Sequence, residues 1–209
     1  MDRNKTAVDI FDKLARQYQD KFMDVKLYGD TFDLFCSSIQ KEHPDILELA
    51  CGPGNITSYL LKKRPDLRIF ATDLSPNMLE LAKTNNPSAE FQLMDCRNIG
   101  AIKKKYDGIM CGFCLPYLSQ EETIRLLHDA SELLLPGGIL YLSTIEDDYD
   151  KSTYKKGSSG DEIFMHYYTA DFLSTALKQN GFTIIALERK HYPAQDGTGI
   201  TDLVIIAKK

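Results

Sequence analysis

From residue 45 onward the chain alternates short apolar runs with helical stretches, and that alternation limits its fold more than any other feature. Residues 46–50, 68–72, 91–94, 106–112 and 139–144 read as strands. Between them lie helix-like segments with their own start and stop signals. Residues 54–63 precede Pro65, and Ser75-Pro76 opens a helix that Asn85 and Pro87 end. A short helix is expected over 98–104. Ser119 with Glu122 forms a capping box for a helix running to Leu135, where Pro136-Gly137-Gly138 breaks it. Strands that alternate with helices in this way are parallel, with crossover helices on both faces. Their almost continuous apolar character agrees, because a parallel sheet is covered on both sides.

The ends of the chain break this rhythm. Residues 5–22 carry Val8, Phe11, Leu14, Ala15, Tyr18 and Phe22 at helical spacing, and 30–41 repeat the pattern with Phe32, Phe35 and Ile39. Both segments need a surface to pack on. Residues 146–160 are polar and glycine- and serine-rich, which predicts a long functional loop. Thr169 caps a helix reaching Asn180, with Gly181 beyond its end. Residues 182–188 and 203–207 are then strands with no helix between them, hence antiparallel neighbours joined through a loop at 193–199. At 209 residues the chain suits one domain.

The first strand runs into Glu48-Leu49-Ala50-Cys51-Gly52-Pro53-Gly54-Asn55 and then a helix. Gly52 and Gly54 let the backbone approach a ligand closely. Glu48, an acid inside an apolar strand, must turn toward the loop or a ligand amine, because an unpartnered buried carboxylate is costly. Asp73 ends the second strand about twenty residues on, where an acid accepts from ribose hydroxyls in nucleotide-binding α/β folds. Asp95 ends the third, where it can accept from an adenine amino group while the Cys96 amide faces the ring edge. Thr57 stands where dinucleotide enzymes carry their third glycine, and no phosphate-loop Gly-Lys-Ser/Thr is present. A ligand with ribose and adenine but no pyrophosphate fits, and S-adenosylmethionine is such a ligand.

With these residues in order, 45–207 resembles the class I methyltransferases, the seven-stranded S-adenosylmethionine-dependent family of small-molecule type. ELACGPGN looks like the family's first motif, IFATDLSPNML its acidic-loop motif, FQLMDC its adenine motif and LLLPGGILYLST its fifth-strand motif. The resemblance implies an α/β, doubly wound three-layer sandwich, a seven-stranded mostly parallel sheet with the last strand antiparallel. It implies cofactor roles for Glu48, Gly52, Gly54, Asp73 and Asp95, with Leu74 and Met94 flanking the adenine and Phe113 beside the methionine moiety. Ala50, Cys51, Met78, Cys96 and Cys111 complete the expected cofactor shell, for S-adenosylmethionine and its product S-adenosylhomocysteine. Residues 1–42 resemble a helical lid; 45–145 form the cofactor-binding half, 146–168 a cap insertion and 169–209 the C-terminal helix and antiparallel strands.

The expected reaction is methyl transfer to an O, N, S or C atom of a small molecule. The alternatives are a protein or RNA acceptor, or a non-catalytic cofactor-binding module. Tyr18, Phe22, Tyr28, Tyr117, Glu146, His166 and Tyr168 are the expected acceptor contacts, with His166 or Tyr117 as catalytic groups. No metal is expected. The Asp/Asn-Pro-Pro-Tyr/Phe pattern of base-amino methylases is absent from 111–117, and the net charge is −5. Neither favours a nucleic-acid partner. The lack of a long apolar run and of a leader-like start predicts a cytoplasmic protein without a membrane span, as monomer or homodimer. Five scattered cysteines suggest reduced thiols. Cys51, Cys96 and Cys111 fall at strand ends, and Cys111-x-x-Cys114 reads as packing rather than as a metal pair.

Overall fold

The computed structural model describes residues 3–157, 160–193 and 199–209. Five parallel strands form first: β1 (Asp45–Leu49), β2 (Arg68–Asp73), β3 (Glu90–Leu93), β4 (Tyr106–Gly112) and β5 (Leu134–Ile145). A two-stranded antiparallel pair follows, β6 (Thr153–Lys156) and β7 (Glu162–Met165), and then the main sheet resumes with β8 (Thr183–Pro193) and β9 (Gly199–Lys208). The seven-stranded sheet has the order β3-β2-β1-β4-β5-β9-β8, and only β9 runs against its neighbours β5 and β8. The seven-stranded, doubly wound α/β sandwich expected from the sequence is the fold observed.

Two apolar layers cover the sheet. On one face α3 (Gly29–Ser38) and α4 (Asn55–Lys63) pack Phe32, Phe35 and Leu60 against Ile46, Met110, Tyr141 and Val204. On the other, α6 (Gln120–Leu133) and α7 (Ala170–Gln179) bring Leu126, Leu127, Leu173 and Leu177 against Leu47, Ile109, Leu142 and Ile205. Side chains alternate across a strand, so neighbours such as Ile46 and Leu47 feed opposite layers. The helix starts are those read from the sequence. Ser75 Oγ accepts from the Met78 amide ahead of α5 (Pro76–Asn85), Ser119 and Glu122 form the capping box, and Thr169 caps α7.

Four expectations are corrected. Residues 5–22 are not one helix: α1 (Arg3–Lys13) and α2 (Ala15–Phe22) meet at Leu14, whose φ −104°, ψ 13° leaves the helical region. Residues 98–104 form no α-helix but a 3₁₀ turn over Cys96–Ala101, begun by the Asp95 carboxylate accepting from the Arg97 amide. The sixth helix stops at Leu133 and passes directly into β5, and Pro136-Gly137-Gly138 lies within that strand beside a register shift opposite Tyr106 and Gly108. The loop at 146–160 is largely ordered, as a 3₁₀ turn over Tyr149–Lys151 and the β6–β7 hairpin. Ser158 and Ser159 lie outside the described residues, as does most of the loop expected at 193–199. Strand β6 is exposed and β7 only half-buried, so no buried stripe announced them in the sequence.

No helix among the described residues is long and apolar enough to cross a membrane. The N-terminal helices lie across the carboxyl edge of the sheet. Asp12 accepts from Ser75 Oγ (2.7 Å), the Asn77 amide (2.9 Å) and Asn77 Nδ2 (3.0 Å), tying α1 to the start of α5. Asn55 Nδ2 donates to the Phe22 carbonyl, and Asn85 Nδ2 to Gln19 Oε1. Arg3 stacks 3.8 Å over the Phe164 ring of β7, and Lys13 pairs with Asp161.

Candidate functional site

The helices after β1 and after β4 leave toward opposite sides, which opens a crevice at the carboxyl ends of these neighbouring strands. Open α/β sheets bind ligands at such reversals of strand order. Two non-glycine residues there hold left-handed backbone: Ala50 (φ +51°) after β1 and Phe113 (φ +54°) after β4. Each such residue costs on the order of 1 kcal/mol, and such strain gathers at functional sites. Phe113 is held by its amide, which donates to Ser143 Oγ (3.0 Å) and to the Ser143 carbonyl (3.2 Å).

The glycine loop is shaped by Asp73 at the end of β2. Its carboxylate accepts from the Gly52 amide and from the Ser75 amide, each at 2.8 Å. Burial raises the Asp73 pKa, against those backbone donors. Gly52 (φ +55°) and Gly54 (φ +77°) supply the positive dihedrals that follow. A β-carbon on Gly54 would fall on Asn86 Nδ2, so the loop packs against α5 with no room for a side chain. A β-carbon on Gly52 would project toward Tyr18 Cε1 at 3.8 Å, into the space between the loop and α2.

A cleft of about 110 Å³ occupies that space. Of the expected cofactor residues, Ala50, Gly52, Asp73, Leu74, Met78, Met94, Asp95, Cys96 and Phe113 line it. Of the expected acceptor residues, Tyr18 and Tyr117 do. Phe11 joins their rings edge-on, with centroids 5.7 Å from Tyr18 and 5.1 Å from Tyr117. Neither phenol hydroxyl has a hydrogen-bond partner among the described residues. Burial drives both phenol pKa values up, that of Tyr18 to about 12, so both groups remain protonated donors at neutral pH. Asp95 is clamped by Arg97, whose Nη2 donates to Oδ2 at 2.7 Å and whose Nη1 reaches Glu122 at 3.1 Å.

The remaining expected residues stand elsewhere. Glu48 is buried beneath the glycine loop, not in the cleft wall. Its Oε2 accepts from Thr57 Oγ1 (2.6 Å), Oε1 has no partner, and burial raises its pKa to about 7. The residue that replaces the dinucleotide glycine is thus the one that partners one oxygen of the acid. Cys51, Gly54 and Cys111 are buried behind the loop and strand ends. His166, expected as a base, packs between Tyr149 and Phe164 behind the Pro116 turn, and burial lowers its pKa. Tyr168 is a core residue whose hydroxyl donates to the Leu118 carbonyl. Glu146 pairs with Arg189 at 2.6 Å, Phe22 leans on Tyr18 at the surface, and Tyr28 donates to the buried Asp202 at 2.5 Å. None of these nine lines the cleft.

Sequence reasoning missed Asn4, Ala7, Val8, Phe11, Ser75, Gly112 and Cys114, which do line it. The apolar stripe of 5–22 contained the signal for Val8 and Phe11, but nothing in it said which surface the stripe would cover. Among the described residues no cluster of His, Cys, Asp or Glu could hold a metal.

Residues 46–138 match the family described as methyltransferase domain. Malonyl-[acyl-carrier protein] O-methyltransferase 1 of Ilyobacter polytropus is 30% identical over 137 residues, which is 64% of this chain and 50% of that protein. The tRNA N(3)-methylcytidine methyltransferase of Schizosaccharomyces pombe is 22% identical over 212 residues, covering 88% of this chain and 83% of its own length. The chain therefore spans half of the first relative and most of the second. Among solved structures, the 1,6-didemethyltoxoflavin-N1-methyltransferase of Burkholderia thailandensis, with its substrate and S-adenosylhomocysteine bound, superposes with TM-score 0.74 at 20% identity, over 98% of this chain and 88% of that one. With the sheet order, the glycine loop and Asp73 arranged as above, the chain has the Rossmann-like fold of the methyltransferases it is similar to, and its residues 46–138 match their methyltransferase domain.

Proposed function

We propose that the protein transfers the methyl group of S-adenosylmethionine to a small-molecule acceptor held beneath the N-terminal helices. The observation that carries this reading is the roofed geometry of the cleft. Its floor is the strained pair Ala50 and Phe113 with Asp73, and its roof is α1 and α2.

The residues present fit the cofactor. Asp73 spends one hydrogen bond per oxygen on the loop, and each oxygen can accept another from a ribose hydroxyl. Met94, Leu74 and Met78 give an apolar slot for adenine, with the Asp95 carboxylate at its edge. Bound there, the cofactor supplies an electrophilic methyl on a sulfonium. The protein's part is to orient the acceptor and exclude water, which together lower the barrier substantially. The rings of Phe11, Tyr18 and Tyr117 form an apolar wall for the acceptor. The Tyr18 and Tyr117 hydroxyls orient it as hydrogen-bond donors, and their raised pKa values set them against a role as bases.

A small acceptor is favoured over a nucleic acid because the formal charges facing the cleft are two carboxylates, Asp73 and Asp95, and the chain's net charge is −5. A polyanion is held by clustered cations. The tRNA-modifying relative makes the contrary outcome worth measuring. The test is incubation with methyl-labelled S-adenosylmethionine and fractionated cell extract, followed by a metabolite library with detection of S-adenosylhomocysteine. Label in a small metabolite is expected. Label in RNA or protein would overturn the acceptor reading, and cofactor binding with no transfer to any fraction would overturn the enzymatic one.

A further inference from the structure

Cys96 ends the Asp95 loop after β3, and Cys114 opens the 3₁₀ turn Leu115–Tyr117 after β4. Their sulfurs are 3.3 Å apart, and both residues line the cleft. Both are free thiols, as is the buried Cys111. The sequence separates Cys96 and Cys114 by 18 positions, so only the parallel packing of β1 and β4 with the β3 loop brings them together. Their neighbours in the chain are functional: Asp95 precedes Cys96, and Tyr117 ends the turn that Cys114 begins.

We propose that Cys96 and Cys114 are an oxidisable dithiol in the wall of the cofactor cleft, whose disulfide excludes the cofactor. A disulfide needs its sulfurs about 2 Å apart, so they must approach by roughly 1.3 Å. That approach draws the Asp95 loop toward the Tyr117 turn and narrows the cleft between them. The oxidant is a hydroperoxide small enough to enter the open cleft. Two thiols and one hydroperoxide give one disulfide, one alcohol and one water. Each sulfur loses one electron, the peroxide O–O bond breaks and takes up both, and the two thiol protons leave on the oxygen products. Hydrogen bonding to a neighbouring thiol (Cys114 for Cys96, Cys111 for Cys114) and then burial keep both thiols protonated, so the reaction is slow at neutral pH and quickens as pH rises. A bound cofactor covers the approach to both sulfurs. Separately from that shielding, the narrowed cleft of the disulfide form binds the cofactor more weakly, and by linkage bound cofactor disfavours the disulfide.

The affinity part of this inference rests on the proposed cofactor site; the cross-link itself does not. The full chain is treated with tert-butyl hydroperoxide, with and without S-adenosylhomocysteine. Residual thiols are alkylated under denaturing conditions and the digest is mapped by mass. Expected are loss of two hydrogens and a cross-link joining the peptide of Cys96 to that of Cys114. The cross-link persists in Cys111→Ser, disappears in Cys114→Ser and forms several-fold more slowly with S-adenosylhomocysteine present. Calorimetry is expected to show at least tenfold weaker S-adenosylhomocysteine binding after oxidation, restored by dithiothreitol. No cross-link, a Cys111–Cys114 loop in its place, or a cross-linked protein of unchanged affinity would each overturn the proposal. If the reduced protein binds no S-adenosylhomocysteine, the cofactor reading fails, and the peptide map still decides whether the dithiol exists.

Discussion

At the scale of single residues, two carboxylates do opposite things from neighbouring strands. Asp73 reaches out at a strand end and gathers loop amides, so its carboxylate faces the cleft. Asp73→Ala is expected to weaken S-adenosylhomocysteine binding by about 1.5–3 kcal/mol, the usual worth of hydrogen bonds to a charged group. Calorimetric affinities equal to wild type would remove Asp73 from the site. Glu48 faces inward, and burial raises its pKa to about 7 from an ordinary 4.5. The folded protein therefore holds this proton more tightly than the unfolded chain does. The resulting stability is complete below about pH 4.5 and is lost as pH rises to about 7, on the order of 3 kcal/mol at most. Glu48→Gln keeps the shape without the titration and should flatten this part of the stability–pH curve. Urea midpoints measured from pH 4.5 to 7.5 in both proteins check it, and parallel curves would refute the assignment. The sequence showed that Glu48 needed a partner. That Thr57 would be that partner required α4 to be in place.

At the scale of elements, the N-terminal helices α1 and α2 are tied down by polar contacts from α4 and the start and end of α5. Asp12 accepts from the Asn77 amide in the first turn of α5 and from the capping Ser75 hydroxyl. A carboxylate at a helix N-terminus also meets the positive end of the helix dipole. Asp12→Ala should cost about 1–2 kcal/mol in denaturant unfolding, the range for a lost N-cap. It should also speed hydrogen exchange in α1 more than in α6. Uniform exchange across both helices would argue against a latch. The element boundaries show where sequence reading succeeds. Helices opened by Ser75, Ser119 and Thr169 began where their caps placed them, since a cap acts through its own turn. The β6–β7 hairpin and the break at Leu14 were not legible, because each depends on what lies opposite: α1 on the hairpin, and the carboxyl edge of the sheet under α1 and α2.

At the scale of the whole molecule, net charge and cleft charge have the same sign. Bulk tRNA at about 150 mM salt is expected to show no retardation with the protein at micromolar concentration, since phosphate binding needs cations that release counterions. A shifted band whose midpoint falls steeply with salt would favour the nucleic-acid alternative. The sequence by itself determined the parallel α/β core, the antiparallel closing strands and most of the residues on the floor of the cleft. Those features rest on periodicity, caps and residues at strand ends, all of which act within a few positions of the chain. Tertiary structure alone decided the roof of the cleft. It sent His166 and Tyr168 into the packing behind the Pro116 turn and brought Phe11 beside Tyr18 and Tyr117. It also set Cys96 against Cys114 at 3.3 Å. These contacts join segments far apart in the chain, and the direction of a side chain across such a gap is set by the packing of the helices and strands that carry it. The glycine loop was therefore readable from its own residues, whereas the roof of the cleft was not.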